Sequence, residues 1–198
     1  LIFQGKRASG DAFRKTGPNH VSAFARAARV YVDECKSKGY YVAAAVVLHT
    51  HAVAIEKALR KLTRRGQRRI HFNQESDSSR RFLLSRMCEM EIRVVVYSVK
   101  GQHKRVARGL CLNALVDDIT TGGAQYLTLE RDGPLEAHDR RTIREALIRN
   151  NRYELNYRHA TPSKYAILWV SDAVAWCCSA GGDWRRRADP LIAEHRVL

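Results

Sequence analysis

The stretch from Tyr165 to Ala180 reads Tyr-Ala-Ile-Leu-Trp-Val-Ser-Asp-Ala-Val-Ala-Trp-Cys-Cys-Ser-Ala, apolar on almost every face and carrying one charge, Asp172. A helix that is apolar all round is a buried helix, so the fold has to be built around this one. An ionised carboxylate inside it is costly unless a metal ion, an arginine or a raised pKa neutralises the charge. Two more acidic groups end strand-like segments: Asp33-Glu34 follows Arg29-Val30-Tyr31-Val32, and Glu130 with Asp132 follows Tyr126-Leu127-Thr128-Leu129. Carboxylates at two strand ends and within one core helix suggest a divalent-metal site.

The rest of the chain sets that helix in an alternating pattern. With 198 residues, 45% of them hydrophobic, there is room for one domain with a real core. Residues 1–28 read as a lead-in with a short helix around Val21 to Ala27. Leu1-Ile2-Phe3-Gln4-Gly5 resembles the tail of a protease recognition tag. Residues 29–198 form the domain. Strands are predicted over Arg29–Glu34 and, unbroken and apolar, Tyr40–Leu48, with a polar turn between them that makes the pair an antiparallel hairpin.

An amphipathic helix follows from Thr50, its N-cap, to Arg65, with Val53, Ile55, Ala58, Leu59 and Leu62 inward. A short extended piece, Arg69–Phe72, leads to a helix capped by Ser76 or Asp77 and running to about Met90. After it come a strand over Ile92–Val99, a helix over Lys104–Thr120, a strand over Gln125–Glu130, a helix over Leu135–Asn150, a strand over Tyr153–Tyr157 and the buried helix over Ser163–Ala180. Asp117, Asp118 and Asp139 read as solvated helix positions. This order predicts an α/β fold: a ribonuclease H-like mixed sheet with a leading antiparallel hairpin and helices on both faces.

Particular residues also resemble a known family. Val30-Tyr31-Val32-Asp33-Glu34 with its polar turn resembles the Asp-Glu-Ser-Gly opening of the bacterial domain-of-unknown-function family 3800, and Leu168 to Trp176 is similar to its terminal Ala-Asp helix. Ile70-His71-Phe72 ahead of Glu75, and Gly181-Gly182-Asp183-Trp184-Arg185-Arg186, resemble an actinobacterial-looking branch. Cys35 and Lys36 stand where the family has serine and glycine. The resemblance implies the ribonuclease H-like superfamily and a nuclease-type metal site, with Asp33 and Glu34 on the first strand, Glu130 or Asp132 after the later strand, and Asp172 on the last helix.

Such a site would hydrolyse phosphodiesters with two cations, Mg2+ or Mn2+, which take oxygen ligands from carboxylates converging on rigid elements. Asp33, Glu130, Asp132 and Asp172 are the candidate metal ligands. Glu34 and Glu75 complete the catalytic candidates, and His71 is placed to move protons nearby. Zinc chemistry lacks its signature, since there is no His-Glu-x-x-His and no paired cysteine motif.

A formal net charge of +15 calls for a polyanionic partner, RNA or DNA before a membrane. Arg64, Arg65, Arg68 and Arg69 crowd one helix and its exit, and Arg185 and Arg186 follow Trp184, a candidate stacking platform. Five scattered cysteines fit a reducing cytoplasm, and the apolar helix is too short and too acidic for a membrane span. Two further readings remain open: a nucleic-acid-binding protein whose acids are structural, and a protein-interaction module of a mobile element or defence system.

Overall fold

A computed structural model describes residues 23–152 and 154–198. Residues 1–22 of the lead-in, with the first two positions of its expected helix, lie outside the described residues. Residues 23–27 form turns and a single bridge, Ala25 to Gly123, in place of the rest of that helix.

Six strands make one sheet: β1 (Ala28–Cys35), β2 (Tyr40–Leu48), β3 (Arg93–Val99), β4 (Tyr126–Glu130), β5 (Asn156–Ala160) and β6 (Ile192–Val197). Their spatial order is β5-β4-β1-β2-β3-β6. β2 pairs antiparallel with β1 and with β3, while the β1–β4, β4–β5 and β3–β6 pairs are parallel. A hairpin at the centre with β2 alone running against its neighbours is the ribonuclease H-like arrangement that the element order predicts. β6 was not expected: it is polar, mostly exposed and at the edge, so neither alternation nor an apolar run announces it.

The period-2 alternation of the strands divides the core in two. Tyr31, Tyr41, Ala43, Ala45, Val94 and Val96 face one way and pack on α1 (His49–Arg60), α2 (Asp77–Cys88), the apolar helix α5 (Leu168–Ala180) and α6 (Gly182–Ala188). Val30, Val32, Val42, Ala44, Val95 and Tyr97 face the other way, onto α3 (Lys104–Gly122) and α4 (Glu136–Arg149). The small side chains of β2 let α5 lie close on the sheet, where the Ser171 hydroxyl donates to the Tyr31 carbonyl at 2.9 Å.

The helix α5 starts five residues later than its composition suggests, because Ser163 to Ile167 form the turns leading into it. Glu56 of α1 receives the free amides of Ala166 and Ile167 at 2.8 and 3.1 Å, which satisfies orphan donors ahead of the helix and fixes where it begins. α1 itself ends at Arg60, and Val53, expected inward, is 79% exposed. The strand predicted over 153–157 sits three residues further on, where it continues the register of β4.

Candidate metal centre

β1 and β4 are parallel neighbours, with Val32 paired to Leu129, so both strands deliver the next residue to the same end of the sheet. Alternation then sorts the acids. Leu127 and Leu129 point into the α3/α4 core, so Glu130 points to the α5 side; Tyr31 does likewise on β1 and takes Asp33 with it. On α5, Asp172 follows Ser171 and meets the same end. Asp33, Glu130 and Asp172 thus line one cavity of about 70 Å³, together with Arg69, His71 and Trp169.

Asp33 is only 8% exposed. Burial pushes its carboxyl well above the usual carboxylate range; the hydrogen bond and charge of Glu130, and then Asp172 and Glu34, push it further. One Asp33 oxygen accepts from the Glu34 amide at 2.7 Å. Asp172 is not forked onto a guanidinium: its Oδ2 accepts from the Phe72 amide at 2.9 Å and lies 3.3 Å from His71 Nδ1. That hydrogen bond raises the His71 pKa against the opposing effect of its burial. Arg69 Nη1 stands 3.6 Å from Glu130 Oε1.

Among the described residues no three ligand-type side chains form a ready coordination shell. The donor set nevertheless fits a hard cation: three carboxylates from three rigid elements, one of them held in an unfavourable protonation balance that a divalent charge would reverse.

The remaining candidates lie elsewhere. Glu34, on the other face of β1, pairs with Lys36 Nζ at 2.9 Å and Arg108 Nη1 at 2.6 Å, and Asp132 pairs with the same lysine at 3.0 Å. Neither lines the cavity. Glu75 is buried against Arg64, Gln67 and Ser79 at 2.6, 2.8 and 2.7 Å and faces a different cavity. Burial alone would raise its pKa, but those hydrogen bonds and the arginine charge hold it below the usual range.

The expected nucleic-acid contacts divide similarly. Arg65 and Arg68 are exposed and enter no ion pair among the described residues, whereas Arg64 and Arg69 hold Glu75 and Glu130. Trp184 is packed edge-on against Trp176, ring centroids 5.5 Å apart, with Arg81 5.5 Å over it. Arg185 pairs with Asp189, and Arg186 with Asp183 at 3.1 Å.

Asp139, expected in solvent, is fully buried instead. It receives Arg108 through two hydrogen bonds of 2.6 and 2.7 Å and His159 through one of 2.9 Å, on the face opposite the cavity. Its burial opposes ionisation, yet the guanidinium and imidazole bonds hold its carboxyl below the usual range. The signal was present in the spacing. Asp139 falls on the stripe with Thr142, Ile143, Ala146 and Leu147, and Arg108 on the stripe with Cys111, Leu112 and Leu115.

No family model and no curated protein matches the chain. Among solved structures it is similar to a point mutant of Bst-RNase HIII, at TM-score 0.41 and 13% identity over 95% of this chain and 73% of that one. It is similar also to Bst-RNase HIII in complex with Mn2+, at TM-score 0.41 and 14% identity over the same shares. Superpositions this loose carry no argument about chemistry, and the fold rests on strand order and polarity.

Proposed function

We propose that the protein is a divalent-metal-dependent nuclease, cleaving RNA or DNA phosphodiesters at the cavity formed by Asp33, Glu130 and Asp172. The observation that carries this reading is the convergence of those three carboxylates from β1, β4 and α5, with Asp33 buried among negative neighbours. Mg2+ or Mn2+ held there would supply a Lewis acid for phosphodiester hydrolysis. The chain's own contributions follow from its contacts. The Phe72 amide and His71 orient Asp172, and Arg69, beside Glu130, meets a phosphate entering the cavity. Exposed Arg65 and Arg68, and the charge of +15, draw the polyanion in. Membership of the domain-of-unknown-function family 3800 and a cytoplasmic, bacterial setting belong to the same proposal, on the motif residues named above.

Labelled RNA and DNA incubated with Mg2+, Mn2+ or EDTA test it. Cleavage is expected only with metal, and neither Asp33→Asn nor Asp172→Asn should support it. Cleavage that persists in EDTA, or is unchanged in both variants, rejects the metal mechanism. One observation favours a second reading, a protein that binds nucleic acid without cutting: Asp172 and Glu130 already have protein partners in Phe72, His71 and Arg69. Salt-dependent binding without cleavage under any metal would establish that alternative.

A further inference from the structure

A second cavity, of about 390 Å³, lies between the exit of α1 and the start of α2. Ile70 is in the wall of both this cavity and the carboxylate one, so the two are separated by the thickness of one chain segment. The volume is that of a small-molecule site. One wall is Phe82, 56% exposed and in contact with no other ring among the described residues. Leu62, Ile70 and Leu83 complete the apolar lining, and the polar part of it is fixed: Glu75 is held by Arg64, Gln67 and Ser79, and the Ser76 and Ser78 hydroxyls bond to each other at 3.0 Å. Arg65 and Arg68 stand exposed on the same loop.

A flat apolar ring, an edge of immobilised donors and acceptors, and a cationic approach together match the surfaces of a nucleotide: the face of the base, its hydrogen-bonding edge and its phosphates. We propose that this cavity seats an unstacked nucleobase of the strand whose phosphate enters the carboxylate cavity, and hence that the ligand is single-stranded nucleic acid. A duplex cannot fill such a cavity without breaking a base pair, whereas an unpaired strand presents its bases at little cost. The inference rests on the proposed function only for what happens at the phosphate; the seating of the base is independent of cleavage.

Fluorescence anisotropy in EDTA tests it, comparing one labelled sequence as a single strand and as a duplex, in DNA and in RNA. The protein should bind the single strand more tightly. Phe82→Ala should weaken single-strand binding by about fivefold or more, the loss of one base–aromatic stack, and leave duplex binding unchanged. Because Phe82 is exposed, the variant should keep the wild-type melting temperature. A strand carrying 2-aminopurine should gain fluorescence on binding wild type, as the base leaves its stacked neighbours, and gain less with Phe82→Ala. Equal affinity for duplex and single strand, or a Phe82→Ala variant that binds single strands like wild type, would overturn the proposal. Parallel incubations with Mn2+ keep the two readings apart. Phe82-dependent binding without cleavage removes only the hydrolysis, and cleavage with Phe82-independent binding removes only the base pocket.

Discussion

Asp33 is the side chain on which the candidate centre turns. Its burial and the charges of Glu130, Asp172 and Glu34 raise its pKa, so folding favours its protonated form. The stability this group contributes is fully present below the ordinary carboxylate range and is lost as pH rises through the raised folded value. Metal-free protein should therefore melt at a lower temperature as pH climbs above the ordinary carboxylate range. Asp33→Asn should melt above wild type at the upper end and flatten that slope, leaving the part due to His71, whose pKa is also raised. An Asp33→Asn variant that melts at or below wild type at every pH in EDTA would show that the acids are not crowded.

Asp172→Asn keeps an oxygen for the Phe72 amide and removes a neighbouring charge. It should change metal-free stability by less than about 1 kcal/mol in urea titrations. Asp139 behaves oppositely, since its removal leaves His159 and two nitrogens of Arg108 buried without their carboxylate, with only Glu34 still paired to the guanidinium. Asp139→Ala should cost about 3–5 kcal/mol by the same measurement.

The turn at residues 72–74 shows how elements set the site. Arg80 of α2 donates to the Phe72 and Asn73 carbonyls at 3.0 and 2.8 Å and lies 4.4 Å over Trp176, whose indole nitrogen donates to Asn73 at 3.0 Å. α2 and α5 thereby pin the turn whose amide orients Asp172. The start of α5 depends in the same way on Glu56. Glu56→Ala should destabilise the protein by about 1–2 kcal/mol, as loss of a cap does. It should also speed hydrogen exchange at the Ala166 and Ile167 amides; unchanged exchange there would mean that Glu56 does not hold the helix start.

These element boundaries mark the limit of sequence reading. Ser76 caps α2 as its sequence says, accepting from the Ser79 amide, and Gly123 closes α3 at φ 87°. The onset of α5 and the register of β5 were missed because each is set by a partner far along the chain, Glu56 in one case and β4 in the other.

At the scale of the whole molecule, the sheet's polarity makes the site. Parallel β1 and β4 end at the same edge, and a strand reversed there would carry Glu130 to the far side of the protein. Ligand binding should then couple to global stability. At a concentration about 100-fold above its dissociation constant, Mn2+ should stabilise wild type by about 2.7 kcal/mol, read as a rise in melting temperature. Asp33→Asn should show little of that rise. An equal Mn2+ response in wild type and Asp33→Asn would place the cation elsewhere.

Hydrophobic periodicity alone marked the central hairpin, the order of the β3-to-α4 segments and the burial of the α5 helix around Asp172, because alternation and helical spacing are local properties of the chain. The same local logic nominated Asp33 and Glu130. It could not separate Asp33 from Glu34, which reach opposite faces of the sheet, or Glu130 from Asp132, which lies past the end of β4, since strand pairing decides both. Nor could it distinguish the solvated arginines, Arg65 and Arg68, from Arg64 and Arg108, which hold buried carboxylates. Charge is written in the sequence; the partner that neutralises it is supplied by packing between segments dozens of residues apart.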